Sequence, residues 1–233
     1  FDGDSLVAAA RLANPAADPA TALGFDASVI DASTIDVSGA ERAAVSVNDP
    51  LLEAFLSGSG RGTPVLGRDL PLLMENRYRD PSETGHDRLA AAAAAHEDAG
   101  GAAVIVDLGS AVTVDAVDGD GVFLGGAIAP GRPALVAGLA AAAPGLPPPG
   151  AAEPAPGLPA STEDAIRVGI DHGLAGIVTR LVGDAREETG AATPVFLTGG
   201  DAASVAPRLP FETTIRPHLV LDGVRILYAR ARA

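Results

Sequence analysis

Between Val104 and Gly131 the chain reads VIVDLGSAVTVDAVDGDGVFLGGAIAPG, three short apolar runs separated by two tight connections. Val104-Ile105-Val106 ends on Asp107-Leu108-Gly109-Ser110, and an alternating run follows from Val112 to Val117. Asp118-Gly119-Asp120-Gly121 then turns the chain into a third run from Val122. Strand-sized runs joined by Gly/Asp turns predict an antiparallel meander. The first connection carries a carboxylate, a glycine and a hydroxyl at its tip. Such a loop can turn backbone N–H groups toward a phosphate while its Asp holds a cation. Taken alone, the ordinary reading is a hairpin whose Asp and Ser serve only the turn. The rest of the chain must decide between the two.

At 233 residues the chain has room for one domain or two, and for a sizeable core. Its apolar 47% is mostly Ala, Val and Leu, which predicts a close-packed core of small side chains. No apolar run approaches the ~18 residues of a membrane span, and no secretory leader pattern opens the chain. The expectation is a cytoplasmic protein without a membrane partner. Cysteine is absent, which excludes disulfides and thiolate metal sites. A formal charge of −14 argues against a nucleic-acid partner. Lysine is also absent, so all 16 basic residues are arginines. That excludes a GxxxxGK[ST] phosphate loop and Schiff-base chemistry on lysine.

Residues 5–12 and 43–47 are expected strands, with a short helix over 50–56, a surface loop over 58–62 and a strand at Pro64-Val65-Leu66. Short apolar pieces stand near Val29-Ile30 and Ile35-Val37. Pro81 to Arg88 leads into a helix made largely of alanine through Ala95, which we expect to be buried. Pro144 to Pro159 is Pro-rich and reads as a loop or tether. A long helix over 161–182 begins with Ser161 as N-cap and Asp164 in its first turn. Ile166, Ile170, Leu174, Ile177 and Leu181 give it an apolar stripe. Gly169, Gly173 and Gly176 near that stripe predict close approach of another backbone. Pro194 to Thr198 reads as a strand, Gly199-Gly200-Asp201 as a loop, and Asp222 as the cap of a final helix through Ala231. Phe1-Asp2-Gly3-Asp4 before its strand resembles Val117-Asp118-Gly119-Asp120 before its own, an internal repeat of turn and strand.

Separated segments line up, in order, with one family. Asn76-Arg77-Tyr78-Arg79-Asp80-Pro81 followed by Gly85-His86-Asp87-Arg88 resembles the NxYxxP…GxDR signature of the type III pantothenate kinases. Asp107 to Thr113 resembles their DxGTAxT loop, Gly125 to Gly131 their GGxIxPG, and Leu197 to Ala202 their LTGGDA loop. Ser161-Thr162-Glu163-Asp164 is similar to the start of their long helix. The resemblance implies an α/β fold of two ribonuclease-H-like domains, of the actin/Hsp70/sugar-kinase superfamily, with ATP in the cleft between them. Residues 1–100 would carry the pantothenate-site motifs, and residues 101–233 the second phosphate loop and the adenosine loop.

The implied reaction is ATP-dependent phosphorylation of pantothenate, the first step toward coenzyme A. The resemblance makes Asp87 the proton acceptor and puts Tyr78, Gly85, His86, Asp87, Arg88 and Thr162 at the substrate. It puts Gly109, Ser110, Gly199 and Gly200 at ATP, and makes Asp107 the ligand of a monovalent cation, K⁺ or NH₄⁺, with Mg²⁺ accompanying the triphosphate. Ser110 stands where the family usually has Thr and keeps the hydroxyl. For the His86 side chain the residues themselves give no chemistry, and a solvated ring is expected. Without the family, Asp87 would read as a helix cap, Arg88 as a surface residue, Tyr78 as a half-buried packing residue and Thr162 as part of an N-cap.

The family also implies a homodimer, with helix 161–182 a candidate interface. A DxGN[ST] phosphate loop would lie just upstream of Phe1, so the sequence is expected to be N-terminally truncated. The alternative is a catalytically silent relative that binds pantothenate, nucleotide or a protein; a different sugar- or acetate-kinase-like phosphotransferase is a third reading. Retention of both Asp87 and Asp107 favours the enzyme, and the NxYxxP and GxDR pair favours pantothenate.

Overall fold

The computed structural model describes residues 44–45, 64–150 and 157–233. The strand expected over 5–12, the apolar pieces near 30 and 36, the helix over 50–56, the loop over 58–62 and the repeat at Phe1–Asp4 lie outside the described residues. The expected strand at 43–47 is represented by β1 (Ala44–Val45), which pairs in parallel with β2 (Val65–Leu66).

A 3₁₀ turn at Pro81–Glu83 leads into α1 (His86–Ala99), which runs a turn beyond the expected end at Ala95. Gly100 in the left-handed conformation (φ +63°) stops it. The predicted meander follows as β3 (Ala103–Leu108), β4 (Ala111–Val117) and β5 (Phe123–Pro130), antiparallel throughout. Helix α2 (Arg132–Ala142) and the long α3 (Thr162–Thr189) come next. Strand β6 (Val195–Thr198), the short α4 (Ala202–Val205), β7 (Thr214–Ile215) and α5 (Leu219–Arg232) complete the chain.

The five strands form one mixed sheet in the order β5-β4-β3-β6-β7, with β6 and β7 parallel to β3. Alternation along each strand sends side chains to two buried faces. On one face Ala103, Ile105, Phe123 and Phe196 pack with Leu89, Ala92 and Ala95 of α1 and with Leu219 and Ile226 of α5. On the other, Val104, Val106, Val112, Val114 and Leu197 pack with Leu174, Val178 and Val182 of α3. Helices therefore cover the sheet on both sides, with α1 and α5 together on one of them.

The alanine run behaves as expected: Ala90 to Ala95 are all buried. Small side chains let α1 and α5 meet at backbone distance. A Cβ added to Gly223 of α5 would come within 1.8 Å of the Ala90 carbonyl oxygen.

Three expectations need correction. The packed stripe of α3 runs Ile170, Leu174, Val178, Val182, with Ile166, Ile177 and Leu181 only half-buried. The packed face thus keeps i+4 spacing, and Asp171 sits on it. Among the described residues nothing lies within 4 Å of a Cβ at Gly169, Gly173 or Gly176, so these glycines meet no described backbone. Finally, α5 starts one residue after its N-cap His218, and Asp222 lies in the first turn instead of capping it. A carboxylate there still complements the helix dipole, and it accepts a hydrogen bond from Arg216 at 3.0 Å.

Adding one methyl group at the α1–α5 contact should force the helices apart. Gly223→Ala is expected to cost about 1–3 kcal/mol. Thermal denaturation would register this as a drop in Tm of roughly 2–4 °C for each kcal/mol lost. An unchanged Tm would mean the helices tolerate separation.

Candidate functional site

The segment before α1 is tied to the edge of the sheet. Phe123 N–H donates to the Glu75 carbonyl and Arg77 N–H to the Phe123 carbonyl, both at 2.9 Å. The Asn76 side chain accepts from Tyr78 N–H at 3.1 Å, an Asx turn that directs the tyrosine inward. At Pro81 a second local device operates: Asp80 accepts from both the N–H (2.9 Å) and hydroxyl (2.6 Å) of Ser82. The chain then enters α1 through Gly85, which offers no side-chain cap. Asp87 in the first turn leans back over it, so a Cβ on Gly85 would lie 2.7 Å from Asp87 Oδ1.

Arg88 turns inward and is 7% exposed. Its Nε and Nη2 donate to both carboxylate oxygens of Asp115 on β4, at 2.5–3.2 Å, and its Nη1 donates to the Tyr78 hydroxyl at 2.9 Å. The guanidinium also lies 5.6 Å from the Tyr78 ring centroid and 5.5 Å from that of Phe123. Burial opposes the charge on Arg88, but the bonds and charge of Asp115 outweigh it and hold the guanidinium above its ordinary value. Burial likewise pushes the Asp115 carboxyl up, against the pull of Arg88 and a hydrogen bond from Thr113, and the nearby charge of Asp87 pushes it further. Taken alone, that rise in Asp115 points to a neutral acid, whereas the rise in Arg88 points to an ion pair. The guanidinium decides, because it keeps its proton at any pH the fold experiences, so the pair is ionised.

Asp115 was not among the residues expected at the site, nor was Thr113. Their signal was present as polar residues alternating with Val112, Val114 and Ala116 in a strand otherwise buried on both faces. Thr113 stands opposite Asp107 in the β3–β4 register. Asp107, Thr113, Asp115, Arg88 and Tyr78 thus make one polar row on the α1 side of the sheet. The Gly125-Gly126 pair makes room for it. Gly126 pairs with Asp115 across β4–β5, and a Cβ there would lie 2.3 Å from Asp115 Oδ1. A Cβ on Gly125 (φ +114°) would lie 3.2 Å from the Tyr78 ring.

Three loops meet at the other end of that row. Gly131 N–H donates to the Ser110 carbonyl at 3.1 Å, and a Cβ on Gly131 would lie 2.1 Å from the Gly109 carbonyl oxygen. Asp201 N–H donates to the Leu108 carbonyl at 3.1 Å. Gly199 (φ +89°) lies so close that a Cβ would come within 2.5 Å of both Asp107 Oδ1 and the Leu108 carbonyl oxygen. Asp107, Gly109 and Gly199 are therefore gathered at one point, with Ser110 and Gly200 exposed at its rim.

Two predicted residues stand apart. Thr162 is exposed at the head of α3, behind the N-cap Ser161, and takes no part in the hydrogen bonds that hold the Arg88 row. His86 is half-buried, not solvated: its ring lies flush against Gly67 (φ +84°), where a Cβ would come within 2.2 Å of the imidazole. Arg88 is likewise no surface residue, and most of its donor fork is filled by Asp115.

Removing one partner of the buried pair leaves a charge without compensation. Asp115→Leu should lose about 3–5 kcal/mol in urea unfolding. The double variant Asp115→Leu with Arg88→Met should regain most of it. A double variant no more stable than the single one would assign the cost to the strand position instead of the stranded charge.

A family model described as type III pantothenate kinase matches residues 1–184. Among curated relatives, a type III pantothenate kinase from Alkalilimnicola ehrlichii is 42% identical over 153 residues, 65% of this chain and 61% of the relative. One from Dehalococcoides mccartyi is 36% identical over 181 residues, covering 78% and 70%. One from Pelobacter propionicus is 35% identical over 214 residues, covering 90% and 80%. The chain thus spans some six to eight tenths of the length of these relatives. In fold it is similar to a solved structure from Campylobacter jejuni described as a Baf family transcriptional activator, with a TM-score of 0.58, 23% identity and 81% of each chain covered. Carried by the family model and by relatives above 30% identity, the conclusion is that this chain belongs to the type III pantothenate kinase family.

Proposed function

We propose that this protein transfers the γ-phosphoryl group of ATP to the primary hydroxyl of pantothenate, giving 4′-phosphopantothenate in the first step of coenzyme A biosynthesis. The observation that carries this reading is the continuity of one polar row. It runs from Asp87 and Arg88 at the head of α1, through Asp115 and Thr113, to Asp107 among the three loops. An acceptor hydroxyl at one end and a triphosphate at the other is the arrangement that in-line transfer requires.

Asp87 takes the hydroxyl proton as the acceptor oxygen bonds to the γ-phosphorus and the bridging oxygen leaves with ADP. Tyr78 and Arg88 orient the acceptor, with Gly85 and His86 lining it; the substrate contact that the family implies for Thr162 has no support in the position of its side chain, exposed at the head of α3. Because Asp115 holds the guanidinium, Arg88 presents only a fixed edge to the substrate, which lowers the entropy cost of alignment. Gly109, whose own N–H is taken by the Ala111 carbonyl, and the exposed Ser110 with its hydroxyl border the phosphates, and Gly199 and Gly200 border the nucleoside. Asp107 fits a monovalent cation: one carboxylate beside the Leu108 carbonyl is a donor set of low charge, in a space that a Cβ on residue 199 would fill. Bound there, K⁺ or NH₄⁺ would offset phosphate charge, while Mg²⁺ arrives with the triphosphate.

In the same reading the five-stranded sheet is the second of two ribonuclease-H-like halves, residues 101–233, and residues 1–100 supply the first, with ATP in the cleft between. The order third-second-first-fourth-fifth, an antiparallel meander followed by parallel strands, supports this. The open glycine face of α3 supports a homodimer with a second copy seated there. No described helix is long and apolar enough to cross a membrane, and we assign the protein to the cytoplasm.

ADP release by the full-length protein would be followed with pantothenate, ATP, Mg²⁺ and either K⁺ or Na⁺. Turnover is expected with K⁺, and Asp87→Asn should lower kcat by about 10²–10⁴-fold. Its unfolding midpoint should stay near that of the parent. Asp107→Asn should raise the KM for ATP and remove the preference for K⁺ over Na⁺. Pantothenate binding without turnover would make the protein a silent binder and end the kinase assignment.

A further inference from the structure

A second buried carboxylate lies outside the row already described. Asp171 sits on the packed face of α3 between Ile170 and Leu174, its side chain 4% exposed. Leucine would fill such a position without charge, so the acid is not explained by packing. Three guanidiniums converge on it from three parts of the chain. Arg132, the first residue of α2, donates from Nη1 to Asp171 Oδ1. Arg167, one turn earlier on α3, lies 3.7 Å from Oδ2, and Arg208, in the turn after α4, lies 3.6 Å from it.

Arg132 has a second acid. Its Nε is 3.4 Å from Asp201 Oδ1. The position of Arg132 in the chain gives this pairing its meaning. It directly follows Gly131, whose backbone is pressed onto the Gly109 and Ser110 carbonyls, whereas Asp201 ends the Gly199-Gly200-Asp201 loop and donates to Leu108. Arg132 therefore bridges the two loops, and Asp171 holds Arg132 from behind. Arg167 extends the same anchor by donating from Nη1 to the Gly150 carbonyl at 3.0 Å, within the Pro-rich segment.

We propose that Asp171 is a positioning residue that, through Arg132, fixes the separation of the Asp107–Ser110 and Gly199–Asp201 loops and so sets the affinity of the site for a nucleoside triphosphate. The assignment of that ligand rests on the kinase reading above; the mechanical coupling of the loops does not. Two carboxylates against three guanidiniums leave the cluster with a net positive charge, in a chain of formal charge −14. Since the chain has no lysine, arginine is its only permanently charged side chain for a polyphosphate. The cluster thus contributes both spacing and a local field that favours an anion.

The test compares Asp171→Asn, Asp171→Leu, Asp171→Glu and Arg132→Gln with the parent in two measurements. In steady-state kinetics, Asp171→Leu and Arg132→Gln should each raise the KM for ATP about tenfold, equivalent to about 1.4 kcal/mol. The KM for pantothenate should stay within about twofold, and the Asp171→Leu/Arg132→Gln double variant should be no worse than the poorer single one, as coupled residues require. Asp171→Glu should restore part of the affinity. Amide hydrogen exchange without any ligand should speed up over 108–111 and over 199–203 together in Asp171→Asn. Exchange that changes only within α3, or KM values for both substrates that rise equally, would overturn the proposal. If the parent protein shows no turnover, the kinase reading fails on its own, and the exchange measurement still decides whether Asp171 couples the loops. Should Asp171→Leu not fold, Asp171→Asn and Arg132→Gln carry both measurements.

Discussion

The buried pair of Arg88 and Asp115 is the contact on which the rest of the site depends. Two charges taken out of water cost several kcal/mol each, and their attraction offsets this only with good geometry and further hydrogen bonds. Both conditions hold here. Asp115 engages two nitrogens of the guanidinium, Tyr78 takes the third, and Thr113 supports the acid. Such a pair is weak evidence for stability in itself, but it is a strong determinant of position. It fixes the rotation of α1 over the sheet, and Asp87, one residue before Arg88, is aimed by that rotation. The Gly125-Gly126 pair belongs to the same requirement, since any side chain there would collide with the tyrosine ring or the carboxylate.

The two ends of the site rest on different supports. The end at Asp87, where we propose the acceptor binds, hangs on α1, which packs between the sheet and α5. The loop end hangs on Gly131 and Gly199 and on the arginine cluster about Asp171, on the opposite face of the sheet. Each end holds a buried acid, Asp115 on Arg88 and Asp171 on its three arginines, and apart from Asp171 the buried residues of α3 are all apolar. The loops gathered about Asp107 owe their closeness to backbone contacts at Gly131 and Gly199 that no other residue could make. The acceptor end is held instead by side-chain chemistry.

Much of the fold was legible in the sequence because its signals are local. Val112-Thr113-Val114-Asp115-Ala116 alternates with period two, the Asp118–Gly121 turn separates two runs, and both strands formed where expected. The alanine helix and the Ser161 cap were equally clear. What escaped depends on partners distant in sequence. Nothing near Arg88 announces that its counter-ion lies 27 residues later. The sequence does not single out Asp171, because a stripe at mixed i+3 and i+4 steps fixes a face only to within a residue or so. His86 was read as solvated for the same reason: its partner is the bare backbone of Gly67, and a glycine gives no sign of which ring will rest on it. Gly169, Gly173 and Gly176 meet no backbone among the described residues, since small residues permit a close approach without requiring one.

The six consecutive alanines of α1 have an entropic consequence. An alanine has no side-chain rotamers to lose, so burying Ala90 to Ala95 orders a helix at the cost of backbone freedom alone. It also leaves no rotamers with which to absorb a displacement. A core of leucines could shift by repacking; a core of methyl groups against carbonyl oxygens can only move as a block. Asp87 therefore rides on a helix whose motion is nearly all or nothing. Sliding α1 along the sheet would break the Gly223 contact and the Arg88–Asp115 pair in the same step.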